Sequence, residues 1–112
     1  MLSFPAGFFD GVSANNVGGV GAQLILSNDH HFCFKLGVGP STNTRSEVLA
    51  LWTLLYCARH MGFSSLFFHG DSVVIINWFN RRSALTLLSL DGWCHCIREL
   101  ETDFIQLTTT HI

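Results

Sequence analysis

Hydrophobic and polar residues alternate along much of the first 40 residues, a pattern typical of β-strands with one buried face. The alternation predicts strands over 4–12, 20–26 and 30–38. Between them lie a Gly- and Asn-rich stretch at 13–19, which is expected to be a loop, and a tight turn at Ser27–Asp29. Because both connections are short, we expect the three strands to form an antiparallel meander.

From residue 44 onward the apolar positions change to helical spacing. Residues 44–61 are predicted to form a long helix that Thr44 caps, with Glu47 as its partner in a capping box, and that Gly62 ends. The remaining predicted elements are a strand over 65–69, a short helix that Ser72 caps and that ends at Phe79, a helix over 88–102 and a fifth strand over 104–110. This order, β-β-β-α-β-α-α-β, predicts an α/β domain with a five-stranded mixed sheet, its first three strands antiparallel, flanked by helices.

Composition indicates one folded domain and gives little sign of nucleic-acid binding. The 112 residues suit a single domain, 48% of them are hydrophobic, and the formal net charge is −2. Nucleic-acid binders usually carry a basic patch, so the charge argues weakly against that class, although six His residues can become protonated below neutral pH. We find no apolar run long enough for a membrane span and no signal peptide at Met1–Phe9, so we expect an intracellular protein with no membrane partner.

Three carboxylates stand where chemistry is expected. Asp10 lies in or at the end of the first strand, Glu47 in the first turn of the long helix, and Asp71 directly after the fourth strand. If the first and fourth strands are neighbours and the helix packs across them, the three acids meet at one end of the sheet. Such a cluster is repulsive without a cation, and oxygen ligands are those that Mg²⁺ or Mn²⁺ prefers. Two such ions, about 3.5–4 Å apart, can activate water and stabilise the leaving oxygen of a phosphodiester.

Each acid also has a purely structural interpretation. Asp10 and Gly11 form a dipeptide typical of a hairpin turn. Glu47 is a suitable partner for Thr44 in a capping box, and Asp71 is a suitable N-cap for the second helix. Taken singly, each structural interpretation is favoured. The expected convergence of the three acids is what favours a metal site.

The segments around these acids resemble the ribonuclease H family, especially the plant retroelement-type domains that follow reverse transcriptases. The resemblance covers essentially the whole chain, in the family's order and at its spacing. It implies a ribonuclease H-like fold and a metal-dependent endonuclease that hydrolyses the RNA strand of RNA–DNA hybrids. The matching segments are Phe9-Asp10-Gly11-Val12-Ser13, Asn15-Asn16-Val17-Gly18-Gly19-Val20-Gly21, Thr42-Asn43-Thr44-Arg45-Ser46-Glu47 with Leu49-Ala50-Leu51, and Gly70-Asp71-Ser72 with Ile76-Asn77-Trp78.

The resemblance also implies roles for individual residues. The family's catalytic acids correspond to Asp10, Glu47 and Asp71, which would hold Mg²⁺ or Mn²⁺, with two ions in the complete site. The family's catalytic His, which follows the fifth strand, corresponds to His111. Asn43 would lie near the minor groove of the hybrid, where 2′-hydroxyls distinguish RNA from DNA. The residues implied to contact substrate around the Gly-rich turn, where small side chains let a nucleic-acid backbone approach, are Gly11, Ser13, Asn16, Gly18 and Gly19.

The chain differs from the family at its C-terminal end. There the family continues with an Asn and an Ala-Asp that open a last helix, and this Asp is the fourth acid. We therefore expect 1–112 to be a single ribonuclease H-like domain that lacks the C-terminal helix and belongs to a larger reverse-transcriptase polyprotein. Two other functions stay open: a catalytically inactive, nucleic-acid-binding fragment of a retroelement polyprotein, and a small-molecule-binding domain with Gly18–Gly21 as a phosphate loop.

Overall fold

The computed structural model describes residues 5–15, 17–85 and 88–111, and this part of the chain forms one sheet with three α-helices. In chain order the strands are β1 (Ala6–Ala14), β2 (Val17–Ser27), β3 (His30–Pro40), β4 (Ser65–Gly70) and β5 (Gln106–His111). The helices are α1 (Asn43–His60), α2 (Val73–Phe79) and α3 (Asp91–Glu101), with a short 3₁₀ helix at Leu88–Leu90 before α3.

The strands are arranged in the order β3-β2-β1-β4-β5. β2 pairs antiparallel with both β1 and β3, whereas β4 pairs parallel with both β1 and β5. The structure therefore confirms the antiparallel meander of the first three strands. It also makes the first and fourth strands neighbours, which is the condition on which the expected meeting of the acids depends.

The predicted loop over 13–19 is wrong. β1 continues to Ala14 and β2 begins at Val17, so the connection is a tight turn that contains Asn15 with a φ of 52°. Asn is among the few residues that adopt this left-handed conformation readily. Gly18 lies in β2 and is buried. It packs so closely against Ser41 and Ser46 that a Cβ on it would collide with their side chains. Gly18 thus serves close packing against the start of α1.

The predicted N-cap of α1 is also wrong. Thr42 and not Thr44 caps the helix, since the Oγ1 of Thr42 accepts a hydrogen bond from the Arg45 amide at 3.2 Å. The helix therefore begins at Asn43, before the residue that was predicted to cap it. The predicted stop is confirmed: Gly62 directly follows the C-cap residue and has a φ of 88°, a conformation that favours glycine.

The later elements agree with the sequence in type and order and differ at their ends. Ser72 caps α2 as predicted, with its hydroxyl accepting from the Ile75 amide at 3.4 Å. The third predicted helix is divided into the 3₁₀ turn and α3, and β5 begins two residues later than its predicted start at 104. No helix in the described ranges has both the length and the apolar character that a membrane crossing requires.

The hydrophobic core lies between the sheet and the helices. The ring of Phe68 in β4 contacts Phe79 of α2 at 5.3 Å between centroids, and Trp52 of α1 meets Trp93 of α3 at 5.5 Å. The apolar stripe of α1 packs on β1 and β2. Its fully buried hydrophobic members are Val48, Ala50, Leu51, Leu54, Leu55 and Ala58.

The opposite face of the sheet carries none of the three described α-helices. Alternate residues of β1 and β4 point to it, and among them Val12 and Phe67 are 58% and 40% exposed. Asp10 shares this face with Val12 and is itself exposed. Its carboxylate is therefore accessible to solvent and to a ligand.

Candidate active site

Two of the three acids are brought together by the register of β1 and β4. The last pair of this parallel ladder is Phe9 with Gly70, and Asp10 and Asp71 are the next residue on each side. A Cβ on Gly70 would collide with the ring of Phe9, so glycine is required for this approach. The sequence prediction that Asp10 and Asp71 meet at one end of the sheet is therefore realised in the fold.

The third acid is placed by contact between α1 and β1. Because α1 begins at Asn43, Glu47 lies beyond the first turn in which it was predicted. Gly11, the residue after Asp10, lies so close to this part of α1 that a Cβ on it would collide with the backbone of Ser46 and Glu47. Both the Gly11 backbone and the Ser46 side chain are buried at this contact. Glu47 consequently stands beside the β1 segment that carries Asp10.

The three carboxylates influence one another electrostatically. The pKa of Asp10 is raised by partial loss of hydration and by repulsion from Asp71, while a hydrogen bond from the Gly11 backbone acts in the opposite direction. The pKa of Glu47 is raised by loss of hydration and by repulsion from Asp71 and Asp10, and a hydrogen bond from Ser72 opposes this rise. The state in which all three carboxylates are ionised is therefore electrostatically unfavourable.

The purely structural interpretations of the acids are excluded by these positions. Asp10 lies within β1 and not in a hairpin turn. Glu47 is too far along α1 to form a capping box with the true cap, Thr42, and its carboxylate accepts a hydrogen bond from the Ser72 hydroxyl at 2.8 Å. The N-cap of α2 is Ser72, the residue after Asp71.

Asn43 and Ser13 meet where the end of β1 faces the start of α1. The side-chain oxygen of Asn43 accepts a hydrogen bond from the Ser13 amide at 2.9 Å. The Ser13 hydroxyl in turn donates to the Ser41 carbonyl at 2.6 Å. With its oxygen held in this way, Asn43 retains its amide nitrogen as a hydrogen-bond donor for a ligand.

The other residues expected to contact substrate are placed differently from one another. Gly11 and Gly18 are buried beneath the start of α1, where their lack of a side chain serves packing. Gly19 is half-buried in β2, on the face of the sheet opposite to α1. Asn16 lies outside the described residues.

His111 is near the acids in the sheet register. It is the last residue of β5, and its backbone pairs with Gly70, the residue before Asp71. Its side chain lies outside the described part of the structure. One pair earlier in the same register, the Nδ1 of His69 lies 2.8 Å from the hydroxyl of Thr110.

The described His, Cys, Asp and Glu residues include no group of three already arranged to hold a metal ion. The three acids nevertheless have the chemistry of a hard-cation site, since all their donors are carboxylate oxygens and two of them have raised pKa values. A cation among them would relieve the repulsion that raises these values. In its chemistry, a donor set made only of carboxylate oxygens fits a divalent ion such as Mg²⁺ or Mn²⁺.

The phosphate-loop alternative does not fit the structure. Residues 18–21 lie within β2, which is paired on one side with β1 and on the other with β3. A phosphate loop relies on free backbone amides at the start of a helix, and this segment lies in a sheet.

The sequence identifies Ser72 only as a helix cap and does not reveal its contact with Glu47. The available signal was a Ser placed directly between a candidate metal ligand and a helix. The buried hydrogen bond from the Ser46 hydroxyl to that of Ser41, at 3.0 Å, has no comparable signal, because single Ser residues are common throughout loops and helix starts.

A family model described as reverse transcriptase-like matches residues 8–112, which includes all three acids. The chain belongs to the reverse transcriptase-like family. The comparison with curated protein sequences gives no match. With the solved structures described next, this match confirms the resemblance to the ribonuclease H family but does not test its plant retroelement type.

Solved structures show that this reverse transcriptase-like chain has the ribonuclease H fold. RNase H1 from the halophilic archaeon Halobacterium salinarum NRC-1 matches with a TM-score of 0.87 and 26% identity over 96% of this chain and 83% of that chain. The N-terminal RNase H domain of a Mycobacterium tuberculosis protein, solved as a fusion with maltose binding protein, matches with a TM-score of 0.86 and 19% identity over 96% and 81%. LC11-RNase H1 in complex with an RNA/DNA hybrid gives a TM-score of 0.86 and 17% identity over 96% and 83%. At their lower identities, the second and third matches bear on the fold alone.

Proposed function

We propose that this chain is a ribonuclease H-type endonuclease that hydrolyses the RNA strand of RNA–DNA hybrids with the help of a divalent metal. The observation that carries the proposal is the placement of Asp10 and Asp71 directly after the last residue pair of β1 and β4, with Glu47 on the part of α1 that packs against Gly11. Membership of the reverse transcriptase-like family and the likeness to RNase H1 support it. Together they favour nucleic-acid chemistry over the other functions considered.

The three acids would hold Mg²⁺ or Mn²⁺, with two ions in the complete site. Bound metal would supply activation of water and stabilisation of the leaving oxygen. The chain's own contribution is to place the three carboxylates on rigid elements, β1, α1 and the end of β4, where packing glycines fix their approach. Such rigidity matters because phosphodiester hydrolysis depends strongly on positioning.

Recognition of the hybrid is proposed for the region where Asn43 meets the end of β1. The free amide nitrogen of Asn43 is a suitable donor to a ribose 2′-hydroxyl, the group that distinguishes RNA from DNA. Ser13 and Gly19, with Asn16 between them in sequence, would lie beside the backbone of the same strand. Gly11 and Gly18 would support this surface from beneath, in accordance with their burial.

We propose that His111 takes part in proton transfer at the same end of the sheet. Its backbone pairs with Gly70, and His is the side chain that most often serves as a general acid or base. We also propose that the chain functions within a reverse-transcriptase polyprotein, and that the family's C-terminal helix, with its fourth acid, would complete the site.

The substrate class is tested with end-labelled RNA–DNA, DNA–DNA and RNA–RNA duplexes of one sequence, incubated with Mg²⁺ or Mn²⁺. We expect fragments from the RNA strand of the hybrid and none from either strand of the DNA duplex. Binding of the hybrid without cleavage, in this chain and in a longer form, would favour the inactive nucleic-acid-binding module instead.

A further inference from the structure

Ser72 makes two hydrogen bonds through a single hydroxyl group. The hydroxyl accepts from the Ile75 amide at 3.4 Å and donates to the Oε2 of Glu47 at 2.8 Å. The residue is only 9% exposed, its bond with the Ile75 amide is buried, and its bond to Glu47 is part-buried. Ser72 thus connects the first turn of α2 to an acid on α1, a different element of the structure.

The chemistry of these partners fixes the direction of the hydroxyl proton. A backbone amide only donates, so the Ile75 amide must use a lone pair of the Ser72 oxygen. An ionised carboxylate only accepts, so the single Ser72 proton points to Glu47. Because the hydroxyl can satisfy both partners only with its proton directed at Glu47, the Glu47 carboxylate is held through one of its two oxygens.

The position of Ser72 makes this hold relevant to the proposed chemistry. Ser72 is the residue after Asp71, and Glu47 is repelled by Asp71 and Asp10. A free Glu47 side chain would turn away from the other two carboxylates to reduce this repulsion. The bond to Oε2 opposes that movement and leaves Oε1 available for a ligand.

We propose that Ser72 is a positioning residue that holds the Glu47 carboxylate beside Asp10 and Asp71, ready to bind a divalent cation. The inference rests on the proposed function and goes beyond it by giving Ser72 a role additional to capping α2. Groups that orient metal ligands usually affect metal affinity strongly when they are removed.

Two substitutions separate the positioning role from the capping role. Ser72→Thr keeps the hydroxyl for both bonds. Ser72→Gly removes the donor to Glu47 but remains an acceptable N-cap residue. If Ser72 only caps α2, Ser72→Gly should change the affinity of the acids for a divalent cation very little. If Ser72 also positions Glu47, the same substitution should weaken that affinity clearly.

The measurement is the Mn²⁺ dissociation constant of the full chain, determined by electron paramagnetic resonance of free Mn²⁺. We expect roughly a tenfold weaker affinity in Ser72→Gly and a change within about twofold in Ser72→Thr. In a Glu47→Gln background, Ser72→Gly is expected to have no further effect, because the charged partner is absent. Circular dichroism and the urea midpoint of each variant establish that it is folded.

Three outcomes would overturn the proposal. The first is an unchanged Mn²⁺ affinity in folded Ser72→Gly, and the second is an equal loss in the Glu47→Gln background. The third is that the wild-type chain binds no Mn²⁺, which would refute the proposed function as well. The first two leave the proposed function standing, since wild-type binding and cleavage are measured independently.

Discussion

Asp10 and Asp71 directly follow Phe9 and Gly70, the last paired residues of the parallel strands β1 and β4. Repulsion from Asp71 contributes to the raised pKa of Asp10, so the two carboxylates oppose each other in the metal-free chain. Close-packed glycines hold the elements that carry these mutually repelling carboxylates. Carboxylates with perturbed pKa values held close together in this way are typical of a functional site.

The first prediction concerns the cation that would relieve this repulsion. Addition of Mn²⁺ should raise the melting temperature of the wild-type chain, because the ion binds the folded state and not the unfolded one. Asp10→Asn should lose most of that rise. The measurement is a thermal melt followed by circular dichroism, with and without millimolar Mn²⁺. Equal shifts in the two proteins would show that Asp10 is not a ligand.

The second prediction is the pH dependence of the metal-free chain. Folding raises the pKa of Asp10 and Glu47, so between their unfolded and folded values the native state binds more protons than the unfolded state. The free energy of unfolding should therefore fall as pH rises through this window, which starts at about pH 4. Asp10→Asn should reduce the slope.

This pH dependence is measured by urea unfolding in EDTA from pH 4 to pH 7. Asp29→Asn is the control, since it makes the same change of charge in the exposed turn between β2 and β3. The same slope in wild type and Asp10→Asn would contradict the coupling of the acids.

The third prediction concerns the glycines beneath α1. A Cβ at Gly11 or Gly18 would collide with backbone or side chains of the α1 start, so Ala at either position should destabilise the fold by about 1–3 kcal/mol or more. Gly37 is the matched control, because a Cβ there meets nothing within 4 Å. Urea unfolding of the three variants provides the test. Stability like that of Gly37→Ala in the other two would mean that the close approach is not required.

The sequence predicted the element order and the end of the sheet where the acids meet, and it could do so for physical reasons. Strand alternation, helical spacing and a glycine stop at Gly62 are local signals that tertiary contacts did not alter here. The neighbouring positions of β1 and β4 follow from the family resemblance, which also assigned Asp10, Glu47 and Asp71 together.

The errors occurred where contacts distant in sequence decide the structure. Residues 13–19 have the composition of a loop, yet Gly18 is strand because it packs against Ser41 and Ser46. Both Thr42 and Thr44 are suitable N-cap residues, and Thr42 is the one that caps α1. The next residue, Asn43, accepts a hydrogen bond from the distant Ser13 amide. The Ser72–Glu47 bond joins residues 25 positions apart, so no local pattern could reveal it.

The fourth prediction tests the recognition of RNA by Asn43. Asn43→Asp keeps the oxygen that accepts from Ser13 but removes the amide donor. In an Asp71→Asn background, which prevents cleavage, it should weaken binding to an RNA–DNA hybrid more than binding to a DNA duplex. The added negative charge weakens both, so the ratio of the two affinities, measured by fluorescence anisotropy, reports the 2′-hydroxyl contact. An unchanged ratio would remove Asn43 from hybrid recognition.

The central claim is that Asp10, Glu47 and Asp71 form a metal-dependent catalytic site. Its most direct test is the single-turnover rate of RNA-strand cleavage in a labelled hybrid, for wild type and Asp71→Asn, in this chain and in a longer form to which the family's C-terminal helix with its Asp is appended. We predict weak, Mn²⁺-favoured cleavage by this chain, a rate at least about tenfold higher in the longer form, because a fourth ligand would improve positioning, and loss of cleavage with Asp71→Asn in both. A folded longer form that leaves the RNA strand intact, or cleavage that persists in Asp71→Asn, would contradict the account.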